Sequence, residues 1–286
     1  MADTIGMADI RGQNIDKAVK GFALQEFKLK QVCLVQSSSN WKETYYKETK
    51  TELTAAGNDF SVKGVGRLSA FPNLEPSWTQ ASSYHLKHAG EAVISWEDAT
   101  TSAIDVMGRT LLRVARAVAY SVDNAIYDVI TADGSVNTLA ASDNWDSATV
   151  ANRDPIGDIL HGIEYITVDN YDVLANGYLL VNPENYTNII MNAKVMQNPT
   201  FKAADVVKNG VVGGVCGLKI IVSNSVDADE ACIIKGQEAV TYKEAAPLTT
   251  ATIIDEGISY KIRAWEIGIT QVTNPEAIHI ITNTEL

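Results

Sequence analysis

The chain is 286 residues long, 46% apolar and 20% charged, a balance that excludes a disordered polymer and suits one large domain or two small ones. Its 35 acidic residues outnumber 23 basic ones, for a net charge of −12. That overall balance is the reverse of the concentrated positive charge with which proteins grip nucleic-acid phosphates, and argues against tight nucleic-acid binding.

No apolar run approaches the roughly 18 residues of a membrane span, and no apolar signal core stands near residue 1. Three widely spaced cysteines, Cys33, Cys216 and Cys232, fit small buried thiols rather than a disulfide framework.

Residues 13–30, QNIDKAVKGFALQEFKLK, read as a short amphipathic helix with Ile15, Val19, Phe22 and Leu24 apolar and Lys residues between them, with a frayed terminal arm as the alternative because Gly21 weakens the helix. From Trp41 the texture changes. WKETYYKETKTEL alternates charge with aromatic and β-branched residues, the pattern of an exposed strand. AAGND is a turn signal, and FSVKGVGRL after it supplies a second strand, so residues 41–68 read as a β-hairpin. Its apolar content is too thin to stand alone in water. It must lean on another part of the chain or on a neighbouring subunit.

Residues 71–97 hold Pro72 and Pro76 and then the alternating strand HAGEAVISW. A long helix follows over 98–131, started by a capping box at Ser95 and Asp98 and ended before Gly134. At about 34 residues it would run about 50 Å, longer than an ordinary core requires. Ile104, Met107, Leu111, Val114, Val118, Ala125 and Val129 form its buried stripe, and Asp105 can pair with Arg109 on the outer side. A coiled coil is disfavoured, because Ala115, Ala117 and Ala119 widen the apolar face beyond a two-position seam.

Residues 133–153 read as a polar loop. DPIGDILHGIEYITV is a helix with Pro155 in its first turn. GYLLVNPENYTNIIMNA runs from a buried strand through a turn into a short helix. LKIIV, EACIIKG and AVTYKEA are short strands, and GISYKIRAWEIGITQVTNPEAIHIITN is two strands broken at Asn274 and Pro275. The mixture is α+β rather than strictly alternating.

Chemistry-bearing patterns are sparse. Gly210, Gly213, Gly214 and Gly217 lack the dinucleotide-loop spacing and lead into a strand. No Gly-Lys-Ser or Gly-Lys-Thr phosphate loop and no nucleophile elbow occurs. His85 and His88 lack a third metal ligand at zinc-like spacing and read as solvated. Cys216 with His161 or His279 is not joined by any sequence spacing. The sequence therefore implies no catalytic residue, cofactor or metal.

The order of a charged hairpin, a strand, an overlong helix and a mixed half resembles the major capsid proteins of tailed phages, the Hong Kong 97-like family. The residues that carry this are EAVISWEDATTSAIDVMGRTLLRVARAVAYSVDNAIYDVIT, GYLLVNPENYTNIIMNA, GLKIIVSNSV and YKIRAWEIGITQVTNPEAIHIIT.

The resemblance implies an N-terminal arm over 1–40, an extended loop over 41–85, a peripheral domain over 86–150 and roughly 247–275 with the spine helix 98–131, and an axial domain over 151–246 and 276–286. It implies a shell subunit that assembles in the host cytoplasm into hexamers and pentamers of an icosahedral virion enclosing double-stranded DNA. Separate scaffolding, portal and decoration proteins would be partners. The extended loop would lie across the adjacent subunit, with Trp41, Lys42, Glu43, Tyr45, Lys47, Glu48, Lys50, Glu52, Lys63 and Arg67 as contact candidates. A merely solvated charged strand is the alternative for these residues. Some family members crosslink a loop Lys to a neighbour's Asn, but no matching Asn and Glu are recognisable here.

Two other readings remain: an encapsulin-type compartment of the same fold holding an enzyme cargo, and a cytosolic α+β enzyme.

Overall fold

The computed structural model describes residues 27–49, 66–70, 78–101, 106–192, 195 and 214–285. Strands β1 (Leu34–Ser37), β2 (Lys42–Lys47), β3 (Thr79–Tyr84) and β4 (Leu86–Ser95) lead into helices α1 (Trp96–Thr101) and α2 (Val106–Thr131). Strand β5 (Asn137–Ala140), helix α3 (Pro155–Val168), strand β6 (Gly177–Val181) and helix α4 (Pro183–Met191) follow. Strands β7 (Gly214–Val215), β8 (Leu218–Val222), β9 (Glu230–Lys235), β10 (Val240–Asp255), β11 (Ser259–Val272) and β12 (Ile278–Thr282) complete the chain.

The strands form a four-stranded sheet in the order β1-β10-β11-β4, a six-stranded sheet in the order β5-β12-β9-β6-β8-β7, and the two-stranded ribbon β2-β3. The six-stranded sheet is buried on both faces, which explains runs such as YLLV and IHII that do not alternate with polar residues. Neighbouring residues still divide by face. Leu180, Cys232, Ile234, Ile278 and Ile280 join the core around α2. Leu179, Val181, Ala231, Ile233 and Ile281 join a second core with Ile159, Ile163 and Ile166 of α3 and Ile189 of α4.

Local signals set the helix starts. The Ser95 hydroxyl accepts the Asp98 amide at 3.1 Å, as the cap predicts. Asp154 caps α3 by accepting the Gly157 amide at 3.0 Å, and Pro155 occupies the first turn. Along α2 the predicted stripe holds at Leu111, Val114 and Val118, then moves to Val122, Ile126 and Ile130. Steps of four advance the buried face by about 40° each. The stripe therefore winds from β4, where Val114 and Val118 face Gly90, toward β9, where the Tyr127 hydroxyl donates to Glu230 at 2.6 Å. Ala125 and Val129 end up half-buried. Ile104 and Asp105, the predicted partner of Arg109, lie outside the described residues.

Several expectations are corrected. The strand from Lys42 to Lys47 pairs with Thr79–Tyr84, a pairing the hairpin reading did not include; residues 50–65, with most of the expected second strand, lie outside the described ones. Residues 133–153 are not simply a polar loop. They contain β5, which pairs in parallel with β12, and Trp145, whose buried indole donates to Asp158 at 2.9 Å. The strand at AVTYKEA continues to Asp255. Pro247, which has no amide to donate, sits where its register against β11 is interrupted. His85 and His88 are buried, not solvated. The Ser121 hydroxyl at 2.9 Å satisfies His88 Nδ1, and burial lowers its pKa against the opposing effect of Glu266.

Helix α3 rests closely on the sheet because residue 162 is glycine. A Cβ there would stand 2.6 Å from Ile233 Cδ1 and 2.8 Å from His279 Cδ2. His279 is itself buried, stacks on Tyr165 at 5.3 Å, and has its pKa lowered by burial to about 4. Alanine in mid-helix ordinarily gains about 0.5–1 kcal/mol over glycine, but overpacking costs about 1–3 kcal/mol, so the clash wins. Gly162→Ala is expected to lower the urea midpoint. A raised midpoint would show that α3 does not sit on β9 and β12 as described.

Candidate functional site

Residues 13–26 of the expected amphipathic helix lie outside the described residues; at its end, 27–33 form a short 3-10 turn at Leu29–Gln31. Phe27, Leu29, Val32 and Cys33 enter the core, and burial pushes the Cys33 thiol up to about 12. The Lys28 and Lys30 amides donate to the two Asp123 oxygens at 2.8 and 3.2 Å, which fixes the segment to α2. Burial still holds the Asp123 pKa above the usual carboxylate range. The Lys30 ammonium crosses to the four-stranded sheet, 2.7 Å from Glu266 and 2.5 Å from Glu244, and lies over the rings of Phe27 and Tyr242. Glu266 is fully buried and also accepts from the Tyr242 hydroxyl at 3.0 Å. The root of the N-terminal segment is thus a buried ionic joint.

The ribbon β2-β3 leaves the body between β1 and β4. A strand points successive side chains to opposite faces, and here Glu43, Tyr45 and Lys47 turn inward while Lys42, Thr44 and Tyr46 turn outward. Glu43 is buried against its own chain. It accepts from the Ser38 hydroxyl, pairs with Lys243 at 3.1 Å, and lies 3.8 Å from His85 Nε2. Lys47 pairs with Asp133 at 2.6 Å, beyond the end of α2. The Glu48 amide donates to the Thr273 carbonyl at 2.8 Å, and the His85 amide to the Trp41 carbonyl at 3.1 Å.

Of the ten predicted contact residues, Glu43 and Lys47 are therefore engaged within the subunit. Trp41 and Lys42 face outward, Tyr45 is half-buried and lines a crevice, Glu48 lines the same crevice, and Arg67 is exposed in a turn. Lys50, Glu52 and Lys63 lie outside the described residues. The sequence reading overlooked Tyr46, Trp78 and Tyr84. With Trp41 they are 50–62% exposed, and Lys42 lies over the Tyr84 ring at 5.6 Å. The signal was present as aromatics in or beside strands with little else apolar, but the pairing that brings Thr79–Tyr84 to Lys42–Lys47 was not read.

The Ser38 hydrogen bond, aided by Lys243 and opposed by burial, holds the Glu43 carboxyl below its ordinary pKa. A carboxylate with a depressed folded pKa stabilises above its unfolded pKa of about 4.3, and that contribution is lost as pH falls through the folded value. Proteolysis of the ribbon root is thus expected to quicken below about pH 4. Glu43→Gln is expected to flatten that acid dependence. An unchanged pH profile in the variant would remove Glu43 from this role.

The described residues hold no cluster of three or more metal-ligating side chains, and among them no helix is long and apolar enough to cross a membrane. An α+β body with a long helix across one sheet, a projecting ribbon at its root and a mixed sheet beyond it is the Hong Kong 97-like capsid architecture. The phage capsid protein family model matches residues 82–281, and the chain belongs to that family.

Solved structures agree on the fold. A virus-like particle protein from Pyrococcus furiosus is 12% identical, with a TM-score of 0.65 over 95% of this chain and 99% of that one. The Mycobacterium phage Che8 protein is 18% identical, with a TM-score of 0.59 over 86% and 85%. The capsid of cyanophage P-SCSP1u is 14% identical, with a TM-score of 0.63 over 91% and 90%. No curated protein matches the chain. The role is structural, in the virion capsid, and is exercised by many copies of the chain together; the enzyme reading is set aside.

Proposed function

We propose that this capsid protein builds hexamers and pentamers of an icosahedral shell around double-stranded DNA, with the ribbon and the loop beyond it lying across the adjacent subunit. The observation that supports this most directly is the exposed aromatic set Trp41, Tyr46, Trp78 and Tyr84 on a two-stranded ribbon. Aromatic side chains dominate buried interface energetics, and a two-stranded ribbon is marginal without further packing. Outward-facing Lys42 and Arg67, with Lys50, Glu52 and Lys63, belong to the same contact.

The axial domain comprises residues 151–246 and 276–286, joined by β5 through its pairing with β12. The peripheral domain is the remainder of 86–150 with 247–275. Separate scaffolding, portal and decoration proteins would act on the assembled subunits. A net charge of −12 suits a wall that confines DNA without holding it. Tight, salt-sensitive DNA affinity of the free subunit would count against that part.

A compartment with protein cargo is the second reading, favoured by the near full-length likeness to the Pyrococcus furiosus virus-like particle. Purified particles should be imaged by negative stain and assayed for nuclease-protected contents. Closed shells holding protected DNA are expected. Shells with only protein inside favour the compartment, and uniformly small globular particles sink both readings.

A further inference from the structure

A cleft of about 290 Å³ opens where three parts of the chain meet: Lys28 of the N-terminal segment, Arg116, Tyr120 and Asp123 of α2, and the turn over 223–225 between β8 and β9. The three α2 residues follow at steps of four and three, so they share one face of the helix. The cleft gathers hydrogen-bond donors. Lys28 Nζ donates to the Val222 carbonyl at 2.8 Å and has two further protons to give. Arg116 is exposed at the mouth with a five-donor guanidinium. Ser225 is 6% exposed, and its hydroxyl has no hydrogen-bond partner among the described residues. A buried polar group left unpaired is costly and rare in native proteins. The acceptor side is already engaged, because the Asp123 oxygens take the Lys28 and Lys30 amides at 2.8 and 3.2 Å. Two cations thus face one carboxyl, a locally positive site in a chain of net charge −12.

We propose that this cleft binds a phosphate group, as inorganic phosphate or a terminal phosphate monoester. Phosphate carries acceptor oxygens in several directions, so one anion can take the Lys28 ammonium, the Arg116 guanidinium and the Ser225 hydroxyl together, with the guanidinium binding two oxygens at once. A carboxylate offers two oxygens in one plane and cannot span donors from three elements as well. A duplex backbone phosphate has sugars on both sides, which a cleft closed by the 223–225 turn does not admit. The bound anion ties the N-terminal segment to α2 and to the six-stranded sheet, so occupancy stabilises the fold by mass action. All of the groups belong to one subunit, and the inference stands apart from the shell-forming reading.

The test titrates the dissociated full-length subunit with sodium phosphate, a 5′-mononucleotide, acetate and a short DNA duplex without terminal phosphates, at an ionic strength held constant with chloride. Binding heat and the urea midpoint are read. Phosphate and the mononucleotide are expected to fill one site and raise the midpoint, while acetate and the duplex do neither. Arg116→Gln is expected to weaken phosphate binding at least about tenfold, the worth of a hydrogen bond to a charged group. Ser225→Ala separates a ligand role from a structural one. Without phosphate its midpoint should hold or rise, because an orphaned group is removed, yet its phosphate-dependent rise should shrink several-fold. Phosphate also strengthens apolar burial in any protein, and that general effect would survive in both variants. A response retained in both, a response matched by acetate, or binding of the duplex alone would each overturn the proposal. So would a lowered Ser225→Ala midpoint in phosphate-free buffer, which would show that the hydroxyl serves the fold itself.

Discussion

Replacing Lys30 with alanine is expected to destabilise the subunit by about 3–5 kcal/mol, the cost of removing one partner from a buried ion pair. The mechanism is the charge left behind. Glu266 is fully buried and its Oε2 already lacks a partner among the described residues, so without the ammonium its Oε1 keeps only the Tyr242 hydroxyl. Glu244 is less affected, because its side chain keeps 19% exposure and can draw on water. The lysine also covers the rings of Phe27 and Tyr242, so packing is lost as well as charge. Urea unfolding of the dissociated full-length subunit measures the change. The double variant Lys30→Met with Glu266→Met should recover most of the loss, since replacing both charges with apolar groups is often neutral or stabilising. A single-variant loss below about 1 kcal/mol would match an exposed pair instead and would contradict the buried joint.

That joint was also the hardest feature to read in the sequence. In FKLK, Lys30 is simply a polar residue beside an apolar face. Its burial depends on Glu266, 236 positions away, and no local pattern announces such a partner. The same holds for His85, buried 3.8 Å from Glu43, which lies 42 positions earlier in the chain and is itself held by Lys243 of β10. Trp145 likewise sits in a polar stretch and finds its acceptor only when α3 brings Asp158 beside it.

Features fixed by neighbours in the chain were legible. The caps Ser95 and Asp154 act within three residues. YLLV followed by Asn182 and Pro183 read correctly as strand, turn and helix, because Asn182 caps the helix that Pro183 starts. The ribbon was half legible. Alternation along WKETYYK identified a strand, but TQASSY has little apolar character, and ladder hydrogen bonds carry no sequence signature. The pairing of Lys42–Lys47 with Thr79–Tyr84 was therefore missed. With it went the aromatics Trp78 and Tyr84, and the contact set was drawn toward charges. Two of those charges, Glu43 and Lys47, proved to be internal fastenings of the loop.

The distinction between fastening and contact yields the second large effect. Truncating the outward aromatics, Tyr46→Ala with Tyr84→Ala, is expected to abolish closed particles at concentrations where the unmodified chain assembles. Both rings stand more than half exposed, so the free subunit loses little burial, and its urea midpoint should stay close to that of the parent. Interface aromatics at hot spots cost about 2 kcal/mol or more each on truncation. At about 1.4 kcal/mol per tenfold, even one such loss raises the concentration needed for assembly roughly thirtyfold, and a shell suffers it at every subunit. Lys42→Ala should shift that threshold far less, since a rim charge is worth below about 1 kcal/mol. Sedimentation across a concentration series reads both variants. Assembly of the double variant at the parental threshold would place the subunit contact somewhere other than this face of the ribbon. A collapse of its urea midpoint would instead mean that these rings hold the subunit together, which their exposure argues against.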